Sequence, residues 1–130
     1  TLLGHFRHES GHYYWDLLID RQPAIGDFRR LFGDERRDYA EALDSDYRDG
    51  PPAHWQQSFI SHYASSHPWE DWAETWAHYL HIVDSLDTAM AHGLDAEHGV
   101  RDHGDHVVAE GQGFEVLEVA QSAVDQLGRA

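Results

Sequence analysis

The sequence predicts a mainly α-helical protein with a single domain. Apolar residues recur at spacings of three, four and seven over most of the chain, which is the period of an amphipathic helix. Clusters of Gly and Pro fall between these segments, where helix boundaries are expected. No stretch alternates apolar and polar residues well enough to predict a strand. With 130 residues, the chain is long enough for a sizeable core.

The first predicted helix covers residues 1–19. Helical spacing leads us to expect a core face made of Phe6, Tyr13 and Leu17, widened by Leu3, Tyr14 and Leu18. Gly11 is a poor residue inside a helix, with a cost of about 1 kcal/mol relative to Ala. Its presence predicts close packing or ligand access at this point of the helix.

Three further helices are predicted before residue 66. The first is short, contains Ile25, Phe28, Leu31 and Phe32, and is closed by Gly33. The second begins with Asp34 as its N-cap and runs to about Asp49, where Gly50, Pro51 and Pro52 stop it. The third covers about residues 53–65 and carries Trp55, Phe59, Ile60 and Tyr63.

A long helix is predicted from Pro68 to about His92, ending at Gly93. Its core face is rich in aromatic residues and consists of Trp69, Trp72, Trp76, Leu80 and Val83. A second face carries a polar stripe at spacing four, formed by Glu70, Glu74 and His78. Because aromatic residues fill the other side of this helix, we expect the polar stripe to face something other than bulk water.

Residues 94–130 change in character and are predicted to be a divergent tail, with a loop at 94–113 and a helix at 114–127. The loop carries His98, His103 and His106 beside Asp102 and Asp105. We interpret these residues as part of a solvated loop rather than a metal site.

Composition narrows the classes of partner. The net charge is −15, and all 9 basic residues are Arg, which argues against nucleic acid or an anionic membrane as a partner. There is no Cys, so a disulfide framework and a thiolate metal site are both excluded. No apolar run approaches the length of a membrane span. The oligomeric state is left open, and the cytoplasm is the default expectation for location.

The run His8-Glu9-Ser10-Gly11-His12 fits the pattern H-E-x-x-H. On a helix, positions i and i+4 lie on one face, so both imidazoles can reach one Zn²⁺. Glu9, next to the first histidine, can take a proton from a water that the metal activates. Chance alone gives roughly 0.07 such matches in a chain of this composition, so a surface helix with two histidines is the alternative. A third ligand is needed, and either acid of the polar stripe can supply it.

Four runs occur in order along the chain: GHFRHESGHYYW at residues 4–15, LFGDER at 31–36, GPP at 50–52 and HPWEDWAETWAHYLH at 67–81. Together they resemble a zinc-binding metallopeptidase family related to the gluzincins. The resemblance covers about residues 1–92. It implies a zincin-like helical bundle around the H-E-x-x-H helix, with Zn²⁺ as the cofactor and a peptide or protein as the substrate. It implies His8, His12 and Glu74 as ligands and Glu9 as the general base. Glu70 remains the rival third ligand.

Two departures from the family pattern stand out. Gluzincins place an acid four residues after the glutamate ligand, where it orients a ligand histidine, and His78 stands at that place if Glu74 is the ligand. Zincins also place a β-sheet before the metal helix, whereas seven residues precede His8 here. We therefore expect residues 1–93 to be a metallopeptidase-like helical domain that is truncated at its N-terminus, without the upstream sheet.

Two functions are compatible with these patterns. One is a zinc-dependent hydrolase, a peptidase, in which His78 assists catalysis through hydrogen bonding or oxyanion stabilisation, a role also open to His81 and Tyr39. The other is a non-catalytic helical module stabilised by zinc, or an inactive fragment of a larger metallopeptidase. Arg7 is expected to have a structural role, paired with Asp34, Glu35 or Asp38.

Overall fold

The computed structural model describes residues 1–93, and within this range the chain forms four α-helices and no strand. The helices are α1 (Leu2–Leu18), α2 (Ile25–Phe32), α3 (Tyr39–Asp49) and α4 (Pro68–Ala91). The predicted mainly α class is thus confirmed. The predicted loop with His98, His103 and His106, and the helix at 114–127, lie outside the described residues. None of the helices in residues 1–93 is long and apolar enough to cross a membrane.

Side chains cap the first turns of three helices. The Thr1 hydroxyl accepts the Gly4 N–H at 3.1 Å at the start of α1. The Asp38 carboxylate accepts the Glu41 N–H at 2.8 Å at the start of α3. The ring Nδ1 of His67 accepts the Trp69 N–H at 3.1 Å at the start of α4. Each cap satisfies a backbone donor that has no partner inside the helix.

Two of the predicted helices were wrong in part or in whole. Helix α3 begins at Tyr39 rather than after Asp34, because the Asp34 carboxylate instead accepts the Arg36 N–H at 3.0 Å and closes a local turn. Residues 53–65 do not form an α-helix. They contain two single-turn 3₁₀ helices, Trp55–Gln57 and Tyr63–Ser65, and His54 adopts a left-handed conformation with a φ of 61°.

The helices α1 and α4 pack closely at the centre of the H-E-x-x-H motif. The indole N–H of Trp72 donates to the carbonyl oxygen of Gly11 at 2.9 Å, and that of Trp76 donates to the Ser10 hydroxyl at 3.1 Å. A Cβ atom on Gly11 would lie 3.0 Å from the Cα of Ala73, which is tighter than nine in ten contacts of real Cβ atoms. The glycine therefore permits the close helix contact that the sequence predicted at this position.

The core lies between α1, α2 and α4. Its buried apolar residues are Trp15, Ile19, Phe28, Phe32, Trp72 and Trp76. The aromatic face predicted for α4 is confirmed, because Trp72 and Trp76 are buried and Trp69 and Leu80 pack against the core while partly buried. The core face predicted for α1 was wrong at its centre, since Phe6, Tyr13 and Leu17 are exposed. Of the residues predicted to widen it, Tyr14 and Leu18 pack against the core, whereas Leu3 is exposed. The face of α1 that is buried carries His8, Gly11 and Trp15, because the polar cluster and the two indoles of α4 occupy that side.

Replacing Gly11 by Ala should destabilise the protein. Alanine improves helix propensity by about 0.5–1 kcal/mol, but overpacking a close contact costs about 1–3 kcal/mol. We expect the packing cost to dominate, because the added methyl group meets the α4 backbone. The free energy of unfolding from urea titration measures the balance.

Gly26 supplies the matched control, because it lies in α2 and a Cβ there would meet no atom within 4 Å. Gly26→Ala should stabilise the protein by about 0.5–1 kcal/mol. Equal stabilisation by the two substitutions would show that close packing at Gly11 does not limit the fold.

Candidate metal centre

The two histidines of α1 point their rings at the same place. His8 is buried and His12 is partly buried, and their Nε2 atoms lie 3.2 Å apart. The two rings meet edge to face, with centroids 4.8 Å apart. One helical turn separates the residues, so the geometry follows from the spacing that the sequence shows.

Glu70 brings a carboxylate to these two rings from the first turn of α4. Its Oε2 atom lies 3.0 Å from Nε2 of His8 and 3.5 Å from Nε2 of His12. The residue is 1% exposed, which makes it one of the most deeply buried side chains of residues 1–93. His8, His12 and Glu70 together form a group whose ligand atoms all lie within 4.8 Å of one another.

The two carboxylate oxygens of Glu70 have different surroundings. Oε1 accepts a hydrogen bond from the Tyr39 hydroxyl at 2.5 Å. Oε2 faces the histidines, and within residues 1–93 it has no partner with hydrogen-bond geometry. A buried carboxylate oxygen without a partner is costly in a folded protein. Its position favours a ligand atom for a cation.

The arrangement fits a zinc ion. Two imidazole nitrogens and one carboxylate oxygen form a donor set that catalytic zinc sites use, with a fourth position left for water. A tetrahedral ion with bonds of 2.0–2.1 Å places its ligand atoms about 3.3 Å apart. The three distances between the donor atoms here are 3.0, 3.2 and 3.5 Å.

Glu74, the third ligand implied by the family resemblance, lies on the other side of the His8 ring. Its Oε1 atom is 2.7 Å from Nδ1 of His8, the nitrogen that faces away from Glu70. In this position the carboxylate accepts a hydrogen bond from Nδ1–H, so a neutral His8 ring directs its Nε2 lone pair at the cluster. Glu74 also stands four residues after Glu70, which is the gluzincin spacing between a glutamate ligand and the acid that orients a histidine.

The electrostatics of the cluster also favour a cation. Contacts with Glu70, and then with Glu74, raise the pKa of His8 to about 9, although burial opposes the shift. Burial alone would raise the pKa of Glu70, but contacts with His12, His8 and Tyr39 hold it well below its usual range. The contact with His8 also lowers the pKa of Glu74. Both carboxylates are therefore ionised at neutral pH and favour positive charge between them.

The other residues predicted for catalysis lie outside this cluster. The Glu9 side chain is 56% exposed, and its Oε1 is 3.6 Å from Nε2 of His5. His78 is partly buried, and its Nδ1 donates to the carbonyl oxygen of Glu74 at 2.7 Å. That hydrogen bond fixes the tautomer, so a neutral His78 ring presents Nε2 as an acceptor.

The partners predicted for Arg7 were wrong. Its guanidinium group contacts Nδ1 of His81 at 2.5 Å and pairs with the carboxylate of Asp84. Both partners lie on α4, so Arg7 ties the start of α1 to the middle of that helix. Glu35 pairs instead with Arg29, whose Nε lies 2.9 Å from its Oε2.

Aromatic rings form the walls around the histidines. Trp69 lies against His12 with ring centroids 4.0 Å apart, and Tyr63 lies 5.9 Å from the ring of His8. Tyr39 packs edge-on against Trp69 at 5.7 Å. Burial, together with the contact with Glu70, raises the pKa of Tyr39 far above its ordinary value, so its hydroxyl stays protonated as a donor.

A helical protein that presents an H-E-x-x-H pair beside a buried glutamate from a second helix has the architecture of a zinc metallopeptidase-like site. Comparison of the sequence with protein families agrees with this class. The family described as "Putative zinc-binding metallo-peptidase" matches residues 1–127, and the chain belongs to it. The match continues beyond residue 92, where the resemblance recognised from the individual runs ends.

The chain is also similar to curated mycobacterial proteins. An uncharacterized protein of Mycobacterium bovis and two of Mycobacterium tuberculosis are each 59% identical to it over 95 residues. The matched region is 72% of this chain but 28% of each relative, so the chain spans less than a third of their length. No solved structure matches the chain significantly.

Proposed function

We propose that the protein is a zinc-dependent hydrolase of the peptidase class, with His8, His12 and Glu70 as the metal ligands. The observation that carries the proposal is the buried Oε2 atom of Glu70, which contacts the Nε2 atoms of both motif histidines. Glu70 takes the ligand position in place of Glu74, which the family resemblance implied. The substrate class is a peptide or protein.

Glu74 has a supporting role in this proposal. Its hydrogen bond with Nδ1 of His8 holds the ring in the tautomer that a metal ligand needs and makes Nε2 more basic. The sequence left Glu70 and Glu74 as rival third ligands, and in this proposal the two residues have different roles. One carboxylate holds the metal, and the other orients a histidine.

His8, His12 and Glu70 would hold the zinc ion, which would supply Lewis-acid chemistry that makes a water molecule more acidic and polarises the scissile carbonyl group. Glu9 accepts the proton of the attacking water on its exposed carboxylate and delivers it to the leaving amine nitrogen. His78, when protonated, donates from Nε2 to the developing oxyanion. The indoles of Trp72 and Trp76 hold the motif helix in place during these steps.

A second candidate function is a helical module that zinc stabilises without catalysis. The observation that favours it is that the cluster joins α1 to α4, so a bound ion would cross-link two helices whatever its chemistry. Glu9 separates the two functions, because a purely structural site has no need of it. The activity of the much longer relatives as whole proteins would be a separate proposal from the one made for this chain.

The first test of this function compares the two glutamates as ligands. Glu70→Gln and His12→Ala should each weaken zinc binding by more than about 100-fold, because each removes a ligand. Glu74→Gln should weaken it by about 10–100-fold, as expected for a group that orients a ligand. Competition with a chromophoric chelator gives the affinity, and elemental analysis gives the stoichiometry.

Glu41→Gln is the charge-matched control, because Glu41 is an exposed acid on α3 and should have no effect on zinc affinity. Loss of zinc in Glu74→Gln, with full affinity retained in Glu70→Gln, would make Glu74 the ligand. Full stoichiometry in His12→Ala would remove the proposed site.

The second test separates metal binding from catalysis. Glu9→Gln should keep one zinc per chain, because Glu9 is not a ligand, and should lower peptide turnover by about 10²–10⁴-fold through loss of the general base. His78→Ala, measured in the same assay, should lower kcat while leaving zinc affinity unchanged. Turnover of a quenched fluorescent peptide library, with zinc content measured on the same samples, provides both readouts.

Robust turnover by Glu9→Gln would overturn the mechanism. Stoichiometric zinc in the unaltered chain without any turnover would favour the stabilised helical module. An unaltered chain that binds no zinc would contradict both functions.

A further inference from the structure

Glu70 divides its two oxygens between different partners. Oε1 accepts the hydroxyl hydrogen of Tyr39 at 2.5 Å, and Oε2 is left to face Nε2 of His8 at 3.0 Å. A free glutamate side chain can bind a metal through one oxygen or through both. A strong hydrogen bond to one oxygen biases the carboxylate toward binding through the other.

The ring of Tyr39 is held firmly enough to impose this bias. Tyr39 is the first residue of α3, directly after the Asp38 cap. Its ring packs edge-on against His67 at 5.2 Å and against Trp69 at 5.7 Å. These two contacts and Glu70 itself all belong to the start of α4. The hydrogen bond therefore joins the N-terminal ends of two helices at the candidate metal centre.

We propose that Tyr39 is a positioning residue for the metal, whose hydroxyl group holds Glu70 so that only Oε2 binds the ion. The proposal rests on the ligand set given under the proposed function. Binding through one oxygen keeps the protein ligands at three and leaves a fourth tetrahedral position for water. Without the hydroxyl group, Oε1 is free to move toward the metal and to bind as an additional ligand.

This role differs from the oxyanion donor that the sequence left open for Tyr39. The hydroxyl group has one hydrogen, and in the structure that hydrogen is donated to Glu70. A positioning role predicts an effect on metal affinity and coordination without substrate. An oxyanion donor predicts an effect on kcat alone.

The test is Tyr39→Phe in the full chain, with Tyr47→Phe as the matched control. Phenylalanine keeps the ring contacts with His67 and Trp69, and Tyr47 is a 76% exposed tyrosine on the same helix. Tyr39→Phe should weaken zinc binding by about 10–100-fold, whereas Tyr47→Phe should leave it unchanged. The stability of the metal-free chain, measured by urea unfolding, should change much less than the zinc affinity does.

The visible spectrum of the Co²⁺-substituted chain provides a second readout, because it reports coordination number. Tyr39→Phe should shift the spectrum toward five-coordination, and Tyr47→Phe should not. Unchanged zinc affinity and an unchanged spectrum in Tyr39→Phe would overturn the positioning role, even with reduced kcat. So would a loss of affinity fully matched by a loss of metal-free stability.

X-ray absorption of the unaltered, zinc-loaded chain needs no variant to fold. A coordination number of four supports binding through one carboxylate oxygen, and a glutamate bound through both oxygens would overturn the proposal. If Glu70→Gln retains full zinc affinity, the ligand set fails first. If Glu70→Gln loses zinc while Tyr39→Phe binds normally, the ligand set stands and the positioning role fails.

Discussion

The contact between α1 and α4 at Gly11 is the constraint on which the rest of the site depends. Two indole hydrogen bonds, from Trp72 and Trp76, join α4 to the two residues in the middle of the H-E-x-x-H motif. Because Gly11 is buried and Ser10 is partly buried against α4, the two motif histidines face Glu70 on that helix. A Cβ atom at Gly11 would crowd Ala73 and Trp76 of α4, so those atoms would have to shift for a larger residue to fit.

Burial explains why two glutamates one turn apart have different environments. Glu70 lies in the first turn of α4, accepts a hydrogen bond from the Tyr39 hydroxyl, and is almost inaccessible to water. The Glu74 side chain remains 20% exposed and contacts His8 through Nδ1, the nitrogen that faces away from Glu70. Enclosing the Glu70 carboxylate costs free energy unless a cation or several donors compensate it. The Tyr39 hydroxyl compensates Oε1, and a zinc ion held between Oε2 and the two imidazoles would compensate the second oxygen.

The sequence predicts the helical class, the long aromatic helix and the convergence of the motif histidines, because these depend on local spacing. The sequence misassigns the centre of the buried face of α1. Helical periodicity was read from apolar residues such as Phe6 and Leu17, whereas the side that packs against α4 carries a histidine and a glycine, which that reading does not count. The sequence leaves Glu70 and Glu74 open because both lie on one face of α4. Gluzincins place an acid four residues after the glutamate ligand, and Glu70 and Glu74 have this spacing. The pattern could therefore have indicated Glu70 as the ligand and Glu74 as the orienting acid. The contact between Tyr39 and Glu70 joins residues 31 positions apart, so no local pattern reveals it.

Anomalous diffraction at the zinc absorption edge, from crystals of the zinc-loaded chain, tests the central claim most directly. The account predicts one strong anomalous peak at about 2.0–2.2 Å from Nε2 of His8, Nε2 of His12 and a single carboxylate oxygen of Glu70. Glu74 should remain on Nδ1 of His8, outside the coordination sphere. A peak coordinated by Glu74 with Glu70 displaced, or no peak between the two helices, would contradict the account.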